Sequence, residues 1–522
     1  MAPFTSRYAS GGMVCAVDHL AASAGVDLLR RGGSAVDAAV GASAVLAVTA
    51  QHMCGMGGDL FALVHAGNGA PFALNASGRA GSGADPRRLR TEGHRLMPPR
   101  GDIRAVPVPG CVDGWIALHE RFGRLGLGEV LEAARRYAED GFPCSPGLAA
   151  VAGSVASLPG GADFARVRAP GVIVRRPGVA RALSAIVDGG RDGHYRGTFG
   201  AGLKALGAGE FSDEDLAEPL ATWVEPLGID ALGARLWTIP PNSQAYLTLA
   251  GAYLAARLPL PDPDDPRWAH FTIEAARQAA HDRNDVLHEH ADGDALLSPA
   301  RLDARASAIS ADRAAGLPGP VGAGGTISLC AVDSERMGVS LIQSNAGGFG
   351  AGIAEPETGI FLHNRGIGFS LDPGHPAEYG PRRRPPHTLS PALVTTTSGD
   401  LHTVLGTMGG DSQPQVLLQL LCRMLRADER VGDAVAAGRW VLSNARQPGG
   451  FGTWAPAAEI EVQLEETTPS TWPEWLSALG HRVAPMRGYG DGFGHAHVIS
   501  CRDGVLEGAH DPRSRAGAAL GY

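Results

Sequence analysis

Thr326 opens an apolar, strand-patterned run, Thr326-Ile-Ser-Leu-Cys-Ala-Val-Asp333, directly behind Gly324-Gly325. A hydroxyl at the start of a rigid strand, beside a glycine that allows unusual backbone dihedrals, is set up for one particular reaction. It can attack the preceding carbonyl and exchange the Gly325–Thr326 amide for an ester. Hydrolysis of that ester frees an N-terminal threonine. The new α-amine titrates at about 7.7–8.0 when unperturbed, so it can act as base for its own hydroxyl near neutral pH. β-Propensity alone also places a threonine at the start of a strand, so the surroundings must decide. Acyl chemistry of this kind needs donors for a tetrahedral oxyanion. Leu405-Gly-Thr-Met-Gly-Gly-Asp411 offers a strand end, a Gly409-Gly410 turn and a following helix, whose N–H groups point at anions. A plain strand-to-helix connection accounts for the same glycines.

The elements that must position these groups are legible as a pattern. Residues 13–50 read as a strand, a helix ending at Arg30-Arg31, a Gly32-Gly33 break, and a second helix capped by Ser34. Gly55-Met-Gly-Gly58 reads as a tight turn feeding a buried strand over Leu60–Val64. Residues 111–290 read as mostly helical. From Thr326 the pattern changes to a hairpin: a strand to Asp333, a polar turn at Ser334-Glu-Arg336, and a strand over Met337–Ser344. Further strands are expected at Ala392–Thr397 and Thr403–Gly406, and a helix at Gln413–Leu425.

Composition excludes several classes. The chain has 522 residues, 44% hydrophobic and 19% charged, with a net charge of −9, so it buries a large core and carries no basic stripe for nucleic acid. Arg382-Arg383-Arg384 is short and flanked by Pro381 and Pro385, and reads as a solvated loop or as a cationic rim for an anionic substrate. The seven cysteines are scattered without a CxxC pair, which fits buried free thiols in a reducing compartment better than zinc or redox chemistry. His288-Glu-His290 places its histidines on different faces of a helix, and His495-Ala-His497 reads as a packed or solvent-facing strand pair. No metal and no cofactor are expected. The N-terminus lacks an apolar signal core, and the apolar run from Ala38 to Ala50 is too short to cross a bilayer, so no membrane partner and a cytoplasmic location are expected.

Taken together, the motifs resemble the γ-glutamyltranspeptidases, over nearly the whole chain. The resemblance rests on Gly32-Gly-Ser-Ala-Val-Asp-Ala-Ala39, Gly55–Gly58, Val108-Pro-Gly110, Pro240-Pro-Asn-Ser243, Asp282-Arg283 and Asp511-Pro-Arg513 near the C-terminus. It also rests on a Thr lying seven residues ahead of an Asp, here Thr326 and Asp333. It implies an N-terminal nucleophile hydrolase with a four-layer αββα sandwich. It further implies a proenzyme cut between Gly325 and Thr326 into a large subunit, 1–325, and a small subunit, 326–522, that form one body. Thr326 is then the nucleophile, Ser344 the hydroxyl beside it, and Gly409 and Gly410 the oxyanion glycines. A homodimer of the processed heterodimer is a compatible assembly.

The departures concern the substrate. The family's carboxylate-binding Arg position aligns with Ser77, and Arg79 sits two residues later in Asn75-Ala-Ser-Gly-Arg79. Two residues of extended chain are about 6–7 Å. In His363-Asn-Arg365-Gly-Ile-Gly368, Arg365 replaces a Gln and Gly368 an Asp that holds the substrate's α-amino group. An ammonium then meets a cation, which argues against a zwitterionic γ-glutamyl group. His387-Thr388 replaces a Ser-Ser pair, and Pro373–Arg384 is shorter than the usual lid. These features are similar to the branch that holds oxamate amidohydrolase and glutaryl-type acylases. The expected substrate is a small-molecule amide with a carboxylate-bearing acyl group, contacted by Arg79, Arg365, His387 and Thr388. The alternatives are a true γ-glutamyl hydrolase or transferase of glutathione-like substrates, and an unprocessed, non-catalytic binding protein.

Overall fold

The run that starts at Thr326 folds into the expected hairpin at the centre of a sheet. The computed structural model describes residues 6–316, 325–444 and 459–522. Most of the Gly-rich stretch before Thr326 lies outside the described residues. In chain order the strands of two large sheets are β1 (Arg7–Ala9), β2 (Met13–Ala16), β3 (Asp59–His65), β4 (Phe72–Ala76), β5 (Thr222–Val224), β6 (Leu227–Ala231) and β7 (Ala234–Thr238). They continue with β8 (Gly325–Val332), β9 (Gly338–Ala346), β10 (Ala392–Thr395), β11 (Leu401–Thr407), β12 (Ala496–Arg502), β13 (Val505–His510) and β14 (Ala518–Gly521). One sheet has the order β14-β2-β8-β9-β3-β4-β5, the other β1-β13-β12-β11-β10-β7-β6. The ladders are antiparallel.

Strand alternation feeds separate cores. Phe61, Leu63, Ile342, Val404 and Ile499 point between the sheets. Their neighbours Leu60, Leu329 and Leu341 point outward. There they meet α1 (His19–Arg30), α2 (Ala35–Thr49) and α3 (Cys111–Phe122). On the far side Leu236, Leu405 and Val498 meet α4 (Tyr246–Ala255), α5 (Pro266–Ala280) and α6 (Gln413–Leu421). The result is the αββα sandwich.

Helix α2 is buried along its whole length, which its Ala- and Gly-rich sequence allows. A Cβ at Gly41 would lie 2.3 Å from the Leu28 side chain, so a larger residue would push α1 away. Ser34 and Asp37 close a capping box, with the Asp37 N–H donating to Ser34 Oγ (3.1 Å) and the Ser34 N–H to Asp37 Oδ2 (2.9 Å). Asp333 then ties this helix to the hairpin. Its Oδ2 accepts from the Ala35 N–H (2.9 Å), and its Oδ1 from the Glu335 and Met337 N–H groups (both 3.0 Å).

Three readings need correction. Residues 222–238 hold three strands inside the stretch expected to be mostly helical. Their Gly, Ala and half-exposed polar positions weaken the alternation signal, and the turn uses Leu232 and Gly233 at positive φ (55° and 82°). Helix α6 ends at Leu421, and the chain widens into a π turn over Cys422–Arg426. The Arg382–Arg384 run is not a uniformly solvated loop, because Arg384 is buried and donates to the Leu220 carbonyl (2.6 Å). Cys501 is half-buried and the other six thiols are buried, all free. Among the described residues no helix is long and apolar enough to cross a membrane.

His194 illustrates what dense packing does to titration. Its ring stacks on Phe199 with centroids 4.2 Å apart, and neither ring nitrogen has a hydrogen-bond partner. Burial, and then the Arg191 charge, pushes it down to about 3. An unfolded histidine titrates near 6.5. Between these values the unfolded chain binds a proton that the folded chain does not, so stability falls as pH drops. The urea midpoint, followed by tryptophan fluorescence, should decline from about pH 6.5 towards 4, and His194→Phe should flatten that decline by about 1 kcal/mol per pH unit. An identical slope in the variant would refute this reading.

Candidate active site

The ladder between β8 and β9 pairs Gly325 with Ala346 and Ile327 with Gln343, with a register shift between them. Thr326 therefore sits at a β-bulge, a device that re-aims one side chain. Its Oγ1 lies 3.0 Å from Ser344 Oγ near the end of β9, and both residues are fully buried. The next residues bend sharply, with Ala346 and Phe349 at φ 67° and 55°. The Ala346 N–H donates back onto Ser344 Oγ (2.8 Å).

Arg365 makes the second contact to Ser344. Its Nη2 donates to Ser344 Oγ (3.1 Å) and its Nη1 to Thr388 Oγ1 (2.9 Å). A hydroxyl oxygen accepts two hydrogen bonds and donates one. Ser344 Oγ thus accepts from Arg365 and from the Ala346 N–H, and either hydroxyl can donate across the Thr326–Ser344 pair. Burial lowers Arg365 to about 10, with Asp59 and Asp411 acting against it, so the guanidinium stays charged at neutral pH.

The expected glycines fall where β11 meets α6. Gly409 and Gly410 have φ of 136° and 58°. A Cβ on Gly409 would lie 2.5 Å from Ser412 Oγ, so the turn has no room for a side chain. Gln244, fully buried, donates to the Gly410 and Thr388 carbonyls (3.0 and 3.3 Å), and Arg283 Nε donates to Gln244 Oε1 (3.0 Å). Arg283 also pairs with Asp411 at 3.5 Å. Sequence reasoning noted Arg283 as a motif residue but gave it no place in the site.

His387 lies against the same cluster but faces Asp59. Its Nδ1 accepts from the Leu389 N–H (3.3 Å), so Nε2 carries the proton and donates to Asp59 Oδ2 (3.0 Å). Burial, then the Arg365 charge, lowers His387 to about 3 despite the carboxylate. His363 donates from Nε2 to the Pro107 carbonyl (2.8 Å), and its Nδ1 lies 3.4 Å from the same Asp59 oxygen. Burial raises Asp59, but His363 and His387 more than reverse this, and it sits below the usual carboxylate range. Asp59 is the register partner of Ser344. The Asp59 centre was missed because the sequence shows only an Asp after a glycine turn, with both histidines some 300 residues away.

The remaining positions separate. Ser77 Oγ donates to Asn75 Oδ1 (2.7 Å) and is fully buried. Arg79 is held by Glu289 (3.2 Å) and the Arg382 carbonyl (3.0 Å), about a third exposed, and makes no contact with the Thr326–Ser344–Arg365–Thr388 chain. Among the described residues no cluster of His, Cys, Asp or Glu suits a metal ion.

The gamma-glutamyltranspeptidase family model matches residues 21–521. The chain belongs to that family. It is 35% identical to the oxamate amidohydrolase proenzyme of Klebsiella pneumoniae, over 99% of this chain and 100% of that protein. It is 33% identical to a glutathione hydrolase-like proenzyme of Bacillus subtilis, over 98% of each chain. Among solved structures, a cephalosporin acylase from Bacillus halodurans superposes with a TM-score of 0.90 at 31% identity, over 99% of this chain and 97% of that one. This gamma-glutamyltranspeptidase family member is an enzyme, an amidohydrolase of the N-terminal nucleophile type.

Two substitutions test the contacts that join Thr326, Ser344 and Arg365. Ser344→Ala should lower kcat about 10²-fold with KM little changed, because the hydroxyl held by Arg365 acts on charge that develops in the transition state. Arg365→Lys should lose much of the same activity, since an ammonium cannot span Ser344 and Thr388 as the guanidinium fork does. Steady-state kinetics with near-wild-type kcat in both variants would contradict the assignment.

Proposed function

We propose that the chain cleaves itself between Gly325 and Thr326, giving subunits 1–325 and 326–522, and then hydrolyses amides of a short, carboxylate-bearing acyl group. The observation that carries this reading is the pairing of Thr326 with Ser344 at 3.0 Å beside a fully buried guanidinium, Arg365. The freed α-amine of Thr326 takes the hydroxyl proton, and Oγ1 attacks the amide carbonyl carbon. The oxyanion faces the N–H groups of the Gly409–Gly410 turn. Collapse breaks the C–N bond, the α-ammonium protonates the departing nitrogen, and water then hydrolyses the acyl-Thr326 ester.

Arg365 supports a carboxylate on the acyl group, because its guanidinium is buried, charged at neutral pH and placed beside Ser344 and Thr388. Thr388 is the proposed neighbour of that carboxylate, while His387 acts from behind through Asp59. Arg79 remains the proposed cation at the outer rim. The buried acids near Arg365 are engaged, Asp59 with two histidines and Asp411 with Arg283, which disfavours a substrate ammonium. Oxamate, named for the Klebsiella relative, is the smallest amide of this class. Free thiols throughout fit a reducing compartment, and the cytoplasm is the proposed location.

Mass spectrometry of purified protein should show a fragment beginning at Thr326, and Thr326→Ala should remain one chain. The processed enzyme should release ammonia from oxamate or a homologous half-amide and turn over γ-glutamyl p-nitroanilide at least about 10²-fold less efficiently by kcat/KM. Brisk γ-glutamyl turnover would overturn the acyl-group assignment, and an intact wild-type chain would overturn the mechanism.

A further inference from the structure

A trans peptide is planar, so whatever holds its carbonyl also fixes the next residue's N–H, which points the opposite way. At the turn between β11 and α6, three successive carbonyls each accept from a side chain. Thr407 Oγ1 donates to the Met408 carbonyl (2.8 Å), Ser412 Oγ to the Gly409 carbonyl (2.9 Å), and Gln244 Nε2 to the Gly410 carbonyl (3.0 Å). All three side chains are buried. The Ser412 N–H adds a second bond to the Gly409 carbonyl (3.1 Å). Gly494 closes over the first of these contacts, where a Cβ would lie 2.7 Å from both Thr407 Oγ1 and the Met408 oxygen. The opposite edges of the same planes carry the Gly409 and Gly410 N–H groups. Both glycines are buried, and among the described residues neither N–H donates a hydrogen bond. Buried backbone donors without a partner are rare and costly, so a pair of them in one turn points to a ligand that accepts from both.

Hydrogen bonds tie this turn to the nucleophile. Gln244 Nε2 also donates to the Thr388 carbonyl (3.3 Å), Thr388 Oγ1 accepts from Arg365, and Arg365 reaches Ser344 beside Thr326. Asp411, next after the turn, acts on the Arg365 charge and pairs with Arg283 at 3.5 Å, which draws its carboxylate towards a cation. We propose that Thr407 and Ser412 are positioning residues that aim the Gly409 and Gly410 N–H groups at the oxyanion of the tetrahedral intermediate. This rests on the acyl transfer proposed above. The Thr407 hydroxyl sets the plane that carries the Gly409 N–H, and the Ser412 hydroxyl sets the plane that carries the Gly410 N–H. Gln244 holds the plane that follows, so Gly410 is restrained on both sides. Two adjacent glycines otherwise have the widest backbone freedom of any pair, and their N–H groups would have to reorganise as charge develops. Donors already aimed avoid that cost. As the Thr326 Oγ1–carbon bond forms, the carbonyl π pair moves onto oxygen, where the two N–H groups meet it. The pair returns when the C–N bond breaks. Thr407 and Ser412 touch no reacting atom and act only through the peptide planes.

The test uses Thr407→Val, Thr407→Ser and Ser412→Ala, each checked by mass for a chain that begins at Thr326. On the half-amide, Thr407→Val and Ser412→Ala should each lower kcat at least about ten-fold and leave KM within about two-fold. Thr407→Ser keeps the donor and should recover most of the kcat that Thr407→Val loses. A packing role gives the opposite order, because valine matches threonine in shape and serine leaves a gap. Unchanged kcat in Thr407→Val or Ser412→Ala, or a valine variant faster than the serine one, would overturn the assignment. Crystal structures separate this proposal from the reaction it serves. The Met408–Gly409 plane in Thr407→Val and the Gly409–Gly410 plane in Ser412→Ala should be rotated from their wild-type orientations, in cut or uncut protein. Rotated planes in a protein whose wild type cleaves no amide would support the aiming and sink only the reaction. Planes that keep the wild-type orientation would overturn the aiming role, even if kcat falls.

Discussion

The site turns on the oxygen of one serine. Ser344 Oγ receives hydrogen bonds from Arg365 and from the Ala346 N–H, and lies 3.0 Å from Thr326. Each contact depends on a different part of the fold. The register shift before Ile327 aims Thr326, the turn after Ser344 brings the Ala346 N–H back to its Oγ, and a buried segment carries Arg365. A buried cation two hydrogen bonds from Thr326 is costly unless its N–H groups are satisfied. Here the hydroxyls of Ser344 and Thr388 meet it, with Asp59 and Asp411 nearby.

Around that oxygen the protein arranges two supports. Asp59 gathers His363, His387 and the Gly78 N–H (2.8 Å), locking the start of β3 and the loop that carries Thr388. Arg283 and Gln244 hold the Gly409–Gly410 turn and the Thr388 carbonyl from the opposite side. Both supports join residues from the large and small parts of the chain. Processing after Gly325 would therefore leave the parts bonded through the site itself.

The layered fold was largely legible, because strand alternation and helix caps are local signals. The Ser34 capping box and the hairpin from Thr326 fell where the pattern placed them. The strands over 222–238 were not, since glycines and half-exposed positions blur their period. The contact between Thr326 and Ser344 was reachable through motif spacing. The Asp59–His363–His387 centre was not, because it assembles three distant segments and no local pattern marks it. Arg79 and Arg365 looked equivalent as carboxylate ligands in sequence, yet one is a paired rim residue and the other a buried partner of Ser344.

The most direct test of the central claim is to trap the intermediate. Processed enzyme would be mixed with a slowly deacylated amide, quenched in acid, and its small fragment weighed intact and mapped by peptide. The account predicts a mass increase equal to the acyl group, confined to the peptide that begins at Thr326. An unchanged fragment during turnover, or an adduct on any other residue, would contradict it.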